Sequence, residues 1–483
     1  MNKRIIIDGS IILGTALLTI PTAAQTKKSK QVQQRPNVLF ILADDLGYGD
    51  LSCYGQERFE TPNIDNLALQ GMRFTQCYSG TTVSAPSRAS LLTGLHTGHT
   101  AVRGNKGAKP EGQFPLPENT YTIFHLFKQN GYATGAFGKW GLGNIGSTGE
   151  PDKMGIDNFF GYNCQSLAHN YYPDHLWDNN QKVDFPENLN GGHGTYSADL
   201  IHDKAIKFLD ENKDKPFFLF YPTTIPHAEL IVPEDSIIRK FRGLYPETPY
   251  HGNDSNERKG GYCSQVYPHA TFAAMVYRLD VRVGQLVQKL KDLGLYDNTI
   301  IVFASDNGPH MEGGADPDFF NGNGIYRGIK RDVYEGGIRV PMIVSWPGHI
   351  KAGTQTDFMC SFWDMMPTFD ELLKGKPIKN TDGISLLPLL ESKKGQQLHD
   401  YLYFEFHEMN GRQAVRKGDW KLVHLNVSVP SLEKYELYNL ASDPQEKHNI
   451  IGQYLEIEKE MKSIMVKAHV KDPNWPLLPS EKQ

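Results

Sequence analysis

Cysteine is scarce in this chain of 483 residues. Five occur, Cys53, Cys77, Cys164, Cys263 and Cys360, with no Cys-x-x-Cys pair and no zinc spacing. That excludes a disulfide-stapled mini-scaffold and a thiolate metal module. The odd count leaves at least one thiol unpaired within a monomer, and one or two disulfides stay open. An excess of charge is missing too: 50 Lys and Arg oppose 55 Asp and Glu, a net of −5 with His neutral. No global field gathers nucleic acid, so selectivity for an anion has to be built locally. Internal repeats and low-complexity tracts are absent, and past the N-terminus no apolar run is long enough to cross ~30 Å of hydrocarbon. With 39% hydrophobic and 22% charged residues the chain is neither disordered nor collagen-like. Its length suits a large α/β domain plus a smaller one.

The N-terminus stands apart. Lys3 and Arg4 precede an apolar run over 11–20, and Thr22-Ala23-Ala24 offers small residues before Gln25. This predicts a secretory signal peptide over 1–24, too short for a membrane span, and therefore an exported protein, periplasmic or secreted. Residues 25–35 are polar and read as a flexible lead-in.

Short, continuous apolar runs at 37–43, 132–137, 217–221, 299–304 and 340–346 have the texture of strands buried on both faces. Helical spacing lies between them: residues 122–130 end at Gly131, and over 273–293 Val276, Leu279, Val283, Leu286 and Leu290 recur before Gly294. Alternating strands and helices predict a large, mostly parallel sheet flanked by helices, with ligands at the strands' carboxyl ends. After about residue 375 the texture changes. Residues 413–416 and 420–424 flank Lys417-Gly418-Asp419 as a hairpin, 435–440 adds a strand, and 454–470 is helical. The expected layout is a domain over 36–375 followed by a smaller antiparallel sheet plus helix over 376–483. Residues 141–153 and 239–265 are polar, Gly-bearing loops, long enough to be functional.

Asp44 and Asp45 directly follow the first buried run, and Asp306 and Asn307 follow the run ending at Ser305. Two pairs of hard oxygen ligands at strand ends, without His or Cys, suit Ca²⁺ or Mg²⁺ rather than zinc. Taken singly, each pair also fits an ordinary turn. Ser84-Ala-Pro-Ser-Arg88 opens a helix closed by Gly94, with Ser84 at or just before the N-cap and Arg88 one turn on. A hydroxyl, an Arg and free amides at one helix start make an anion site; taken alone, the segment equally fits a capped helix with a surface Arg. Lys139 and His227 follow the predicted strands over 132–137 and 217–221, and Lys330 sits between Arg327 and Glu335-Gly336-Gly337; singly each is unremarkable. Gathered around one hydroxyl, these groups suit a sulfate or phosphate ester.

The chain resembles the type I sulfatases of the alkaline phosphatase superfamily over nearly its whole mature length. The resemblance is carried by Asn37-Val-Leu-Phe-Ile-Leu-Ala-Asp-Asp-Leu-Gly-Tyr-Gly-Asp50, Ser84-Ala-Pro-Ser-Arg-Ala-Ser-Leu-Leu-Thr-Gly94, Gly138-Lys-Trp-Gly-Leu-Gly143, Ser305-Asp-Asn-Gly308, Glu335-Gly-Gly-Ile-Arg-Val-Pro341 and Tyr435-Glu-Leu-Tyr-Asn-Leu-Ala-Ser-Asp-Pro444. It implies that Ser84 is oxidised to formylglycine, by a radical maturase of the kind that serves the Ser-type proteins. It further implies that Asp44, Asp45, Asp306 and Asn307 hold Ca²⁺ (or Mg²⁺) beside residue 84, and that Arg88 steadies the modified residue. Lys139, His227 and Lys330 would grip the sulfate or the leaving group. The hydrated aldehyde attacks sulfur in that scheme, and its second hydroxyl later expels sulfate.

One position departs from the family pattern: Gly141 stands where many members carry His, and His169 and His310 are candidate substitutes. Polar, aromatic-bearing loops over 169–177, 188–196 and 246–262 suggest a sulfated carbohydrate, in the style of bacterial enzymes acting on galactose or N-acetylhexosamine sulfates of mucin or glycosaminoglycan. Arg103, Asn105, His169 and His310 are the expected sugar contacts. A phosphomonoester or phosphonate hydrolase of the same superfamily, often with two zinc ions, is the alternative, along with a non-catalytic glycan-binding protein on the same scaffold. The all-oxygen ligand set and the Pro-x-Arg after Ser84 argue against the first, and the intact metal and cation set against the second.

Overall fold

The computed structural model describes residues 35–254, 261–374 and 378–482, so the predicted signal peptide and the lead-in up to 34 lie outside the described residues. Eleven strands form the main sheet: β1 Asn37–Ala43, β2 Met72–Tyr78, β3 Ala133–Lys139, β4 Asn158–Tyr162, β5 His175–Asp178, β6 Gln181–Asp184, β7 Phe217–Pro222, β8 Thr299–Ser305, β9 Arg339–Ser345, β10 Thr354–Thr356 and β11 Cys360–Ser361. Their order is β10-β2-β9-β8-β1-β7-β3-β4-β5-β6, with β11 also on β2. The centre, β8-β1-β7-β3-β4, is parallel. β9 runs antiparallel to both β8 and β2, and β5 and β6 turn back antiparallel at the far edge, so the sheet is mixed. The five apolar runs all became strands, each within two residues of its expected bounds.

Both faces of the sheet are covered, which is why these strands are apolar throughout. Along β1 the side chains alternate. Leu39 and Ile41 join one core with Leu279, Val283 and Leu286 of the Pro268–Asp292 helix, whereas Val38, Phe40 and Leu42 join another with Ala89, Phe124 and Phe369. The long helix begins at Pro268, five residues before its apolar spacing becomes readable, because proline is tolerated in a first turn. In the predicted loop over 239–265, Arg239 to Phe241 instead finish a short helix capped by Asp235.

A second sheet holds β12 Leu402–Phe406, β13 Arg412–Lys417, β14 Trp420–Leu425 and β15 Lys434–Asn439, all antiparallel in that order. Phe404, Ala414 and Val423 pack on Tyr78, Val83 and Trp363 of the main body; Tyr403, Val415 and Leu422 pack on Met461 and Met465 of the Leu455–Ala468 helix. The small sheet is thus sandwiched between the large one and the terminal helix. Cys53, Cys77, Cys164 and Cys360 are free thiols, although Cys77 and Cys360 face each other across β2 and β11. Among the described residues no helix is long and apolar enough to cross a membrane.

Gly138, in the bend that aims Lys139 off β3, has φ +139°, and a Cβ there would meet the Pro222 carbonyl oxygen at 2.0 Å. Gly138→Ala is expected to lose at least ~1–3 kcal/mol of unfolding free energy in denaturant titration, because backbone of β7 has to move.

Candidate active site

Strand register assembles the site. β1 and β8 are parallel neighbours with Ala43 opposite Ser305, so Asp44 and Asp45 leave the sheet alongside Asp306 and Asn307. β3 delivers Lys139 at its own carboxyl end, two strands away. Because β9 is antiparallel, the chain leading into it arrives at this same edge and brings Lys330; Lys330 N–H donates to Pro309 O at 2.9 Å and Gly308 N–H to Gly337 O at 3.1 Å. Ser84 begins the Ser84–Thr93 helix. It does not cap that helix: Val83 is the N-cap residue, and the orphan Ala85 N–H is taken by Asn105 Oδ1 at 3.0 Å. The Ser84 hydroxyl is left to point at the acidic group.

Ser84 Oγ donates to Asp44 Oδ1 at 3.0 Å, and Lys139 Nζ lies 3.3 Å from the same Oγ. Lys139 also bonds both Asp44 oxygens, at 3.0 and 2.7 Å. Arg88 donates from Nε and Nη2 to Asp306 Oδ2 at 3.1 and 2.9 Å, and from Nη1 to Lys139 O at 2.5 Å. Asp306 Oδ1 receives the Asp45 N–H at 3.1 Å. Asp45, held at φ +60°, accepts from Asn307 Nδ2 at 2.6 Å and from Lys330 Nζ at 2.7 Å. Lys330 Nζ also donates to His227 Nε2 at 2.9 Å, while His227 Nδ1–H donates to Ala228 O at 2.5 Å. Every one of these side chains is buried.

Charges packed this way shift one another. Burial raises Asp306 above the usual carboxylate range, and the Asp44 carboxylate adds to it. Burial draws the Lys139 ammonium down, against the pull of Asp44. His227 is held well below the ordinary imidazole value, first by burial and then by Lys330 and Lys139, so its ring is neutral and its free nitrogen is an acceptor. Ligand atoms of Asp44, Asp45 and Asp306 lie within 4.8 Å of one another, and Asn307 Oδ1 is buried with no partner. Three close carboxylates and an orphaned carbonyl-type oxygen fit a hard divalent cation.

Ser84 opens into a cleft of about 330 Å³ whose wall includes Asn105, Gln165, His169, His227, Lys330 and Arg331. Asn105 and His169 therefore line the cleft. His169 stacks on His227 with ring centroids 4.8 Å apart, and burial with the nearby Lys139 and Lys330 lowers its pKa to about 3. Two expected contacts are corrected. His310 lies behind His227, stacked at 5.3 Å, with Nε2 toward Pro226 O and Nδ1 3.2 Å from Glu312; it backs the site and is not part of the cleft wall. Arg103 does not reach the cleft: it donates to Glu405 at 2.9 Å, Thr100 O at 3.0 Å and Val470 O at 2.7 Å, tying the body to the second sheet. Gln113, Gln165, Tyr262, Arg331 and Glu408 line the cleft without having been singled out. Arg331, beside Lys330, was within reach of the argument; the others carry no local signal.

A mixed sheet with acidic, basic and hydroxyl groups gathered at its strand ends defines a class, the metal-ready hydrolases of charged esters. The sulfatase family profile matches residues 36–375, and a profile described as N-sulphoglucosamine sulphohydrolase, C-terminal, matches 324–471. The chain is 29% identical to an N-acetylgalactosamine-6-O-sulfatase of Bacteroides thetaiotaomicron, covering 94% of this chain and 97% of the relative. It is 32% identical to human arylsulfatase A, covering 87% and 84%. A solved structure of Ps i-CgsB in complex with k-i-k-neocarrahexaose superposes with TM-score 0.76 at 29% identity, over 93% of this chain and 96% of that one. The chain belongs to the sulfatase family and is a sulfuric ester hydrolase of alkaline phosphatase-like fold.

Removing the buried Arg103 charge leaves Glu405 short of a partner. Arg103→Met is expected to lose up to ~3–5 kcal/mol of unfolding free energy, with KM for a small sulfate ester unchanged. A raised KM at unchanged stability would return Arg103 to the substrate.

Proposed function

We propose that this sulfatase removes sulfate from a sulfated glycan, a galactose or N-acetylhexosamine sulfate, using formylglycine made from Ser84 and a Ca²⁺ ion (Mg²⁺ suits the same oxygens). The observation that carries it is the convergence of Ser84 Oγ, Asp44, Lys139 and the Arg88–Asp306 pair at the floor of an open cleft. Asp44, Asp45, Asp306 and Asn307, with residue 84, are the proposed metal ligands. Formylglycine supplies a nucleophile with its own route for releasing sulfate, which serine lacks. The cation, when bound, offsets the three carboxylates and polarises the oxygens it touches.

The chain's own groups divide the remaining work. Asp44 orients the side chain at 84 by accepting its hydrogen bond. Arg88 keeps Asp306 in place through a two-nitrogen grip and so fixes the far wall of the metal site. Lys139, within 3.3 Å of the nucleophile position, faces the sulfuryl oxygens, and Lys330, held in place by His227 Nε2, offers its ammonium on the other side, toward the departing alcohol. Positioned donors of this kind are worth ~2.7–4 kcal/mol each when they meet charge that develops in the transition state. Lowering of the Lys139 pKa by burial makes it a readier proton donor than a surface lysine.

The glycan assignment rests on the cleft's neutral hydrogen-bonding groups, Asn105, Gln113, Gln165 and Ser166, which suit sugar hydroxyls, and on a neighbouring groove of about 1030 Å³ that includes Tyr172, Asp174 and His193. The names of the bacterial relative and of the neocarrahexaose complex point the same way. The basic, apolar and small-residue pattern over 1–24 supports export, and the Ser at 84 supports a radical maturase as partner before or during it. Residues 36–375 form the proposed catalytic part and 376–483 the smaller one.

Mass spectrometry of the Ser84 peptide from native protein is expected to show a residue lighter than serine by a pair of hydrogens. Ser84→Ala is expected to abolish turnover across a panel of sulfated monosaccharides; intact serine in active enzyme, or turnover by the variant, overturns the mechanism. Stripping metal with a chelator is expected to stop turnover and lower the unfolding midpoint. Ca²⁺ at ~100 times its Kd then restores ~2.7 kcal/mol of stability, and Asp306→Ala removes that gain.

A further inference from the structure

Gly141 has φ +75°, a backbone state that disfavours any side chain, and the space a side chain would enter is already filled. A Cβ built there would meet Gln165 Nε2 at 2.4 Å and Gln165 Cδ at 3.4 Å. The arrangement follows from the chain path. Beyond β3 the ladder continues, with Trp140 N–H on Tyr162 O at 2.8 Å and Gly141 N–H on Asn163 O at 3.2 Å. The strand leading from β4 then folds its next residues over the glycine, and Gln113 Oε1 accepts the Gln165 N–H at 3.2 Å to hold that bend.

Gln165 is 7% exposed, lines the same cleft as Ser84, His169, His227 and Lys330, and its Nε2 is buried with no hydrogen-bond partner. A carboxamide nitrogen carries two N–H donors. Leaving them unpaired in a buried site disfavours the free protein, and an incoming oxyanion relieves that. The cleft already concentrates positive charge from Lys330 and Arg331. A neutral donor adds hydrogen bonds to an anion without the desolvation cost of a further buried cation.

We propose that Gln165 is a substrate-binding residue of this sulfatase, donating from its carboxamide to the oxygens of the sulfate ester out of the space left open by Gly141. This rests on the sulfatase reading of the Ser84 cleft and adds a residue to it. Gln165 holds the anion and takes up no proton, so the group offered here differs in kind from an imidazole. His169 and His310 do not fill this space: His169 stacks on His227, and His310 lies behind that ring.

Two variants test it in the mature, metal-loaded enzyme. Gln165→Met keeps the length of the side chain and removes the donors; Gln165→Glu replaces them with acceptors. The Met variant is expected to lower kcat/KM for a sulfate ester by ~10²-fold, the size seen for loss of one oxyanion donor. Inorganic sulfate should inhibit it, and bind to it in calorimetry, at least ~10-fold more weakly, on the arithmetic of one lost hydrogen bond to a charged group. Its unfolding midpoint should be no lower than wild type, because the unpaired buried donors are gone, and the shape of its pH–rate profile should match wild type, since a carboxamide does not titrate. The Glu variant should fall further and recover part of its activity as pH is lowered through the carboxyl range. Wild-type kinetics and wild-type sulfate binding in the Met variant overturn the proposal while leaving the sulfatase reading intact. Sulfate binding that depends on Gln165 in a protein that hydrolyses no sulfate ester keeps Gln165 as an anion ligand and removes the proposed reaction. A wild-type protein that neither binds sulfate nor turns over an ester removes both.

Discussion

Everything at the active edge depends on neutralising three buried carboxylates held within 4.8 Å of each other. Asp44, Asp45 and Asp306 are taken almost wholly out of water, where like charges at that distance repel strongly and the ionised form is penalised. Arg88, Lys139 and Lys330 answer them one for one, each within hydrogen-bond distance. The balance is tight enough that Asp306 is raised and Lys139 lowered at the same time, the mark of charges that are paired but poorly solvated. Such a cluster fits a divalent cation, which Asp44, Asp45, Asp306 and Asn307 would hold and which would share the neutralisation now left to Lys139 and Lys330.

Sheet topology is the means by which these charges are brought together. The parallel β1–β8 register sets Asp44–Asp45 and Asp306–Asn307 side by side, and an open α/β sheet presents that end to solvent. The antiparallel β9 is what a uniformly parallel sheet would lack. Its direction carries Lys330 to the same edge, and with it the loop whose Gly336 and Gly337 pack against Gly308 and Gly328. The histidine stack follows from the same crowding: His310 behind, His227 in the middle and His169 at the cleft wall form a column of rings, with Lys330 gripping the central one. Tyr78, Arg416 and Lys421 meet Glu335 below this edge, so the small second sheet braces the loop that holds Lys330.

Much of this was readable along the chain. Apolar runs identified β1, β3, β7, β8 and β9 because strands covered on both faces need hydrophobic side chains throughout, and Asp44, Asp45, Asp306 and Asn307 stood out as polar residues at the ends of β1 and β8. The edge strands β5 and β6 escaped notice since they are short and partly exposed, and their pattern does not differ from a loop. Arg103 looked like a substrate contact because an Arg in a polar loop gives no sign of the Glu405 it reaches, 302 positions away. His310 misled for the opposite reason: proximity in sequence to the metal pair says nothing about which side of His227 it occupies.

Taken alone, the amino-acid order determined the strand cores, the helix that begins at Ser84, the ligand types at the strand ends and the family they resemble. Those are local properties, written in periodicity, composition and short motifs. Only the tertiary structure decided that Asn105 rather than Ser84 satisfies the helix start, that Arg103 braces the second sheet, and that Gln165 fills the space over Gly141. Each depends on contacts between residues far apart in the chain, and such contacts are set by strand order and direction, which no local pattern encodes.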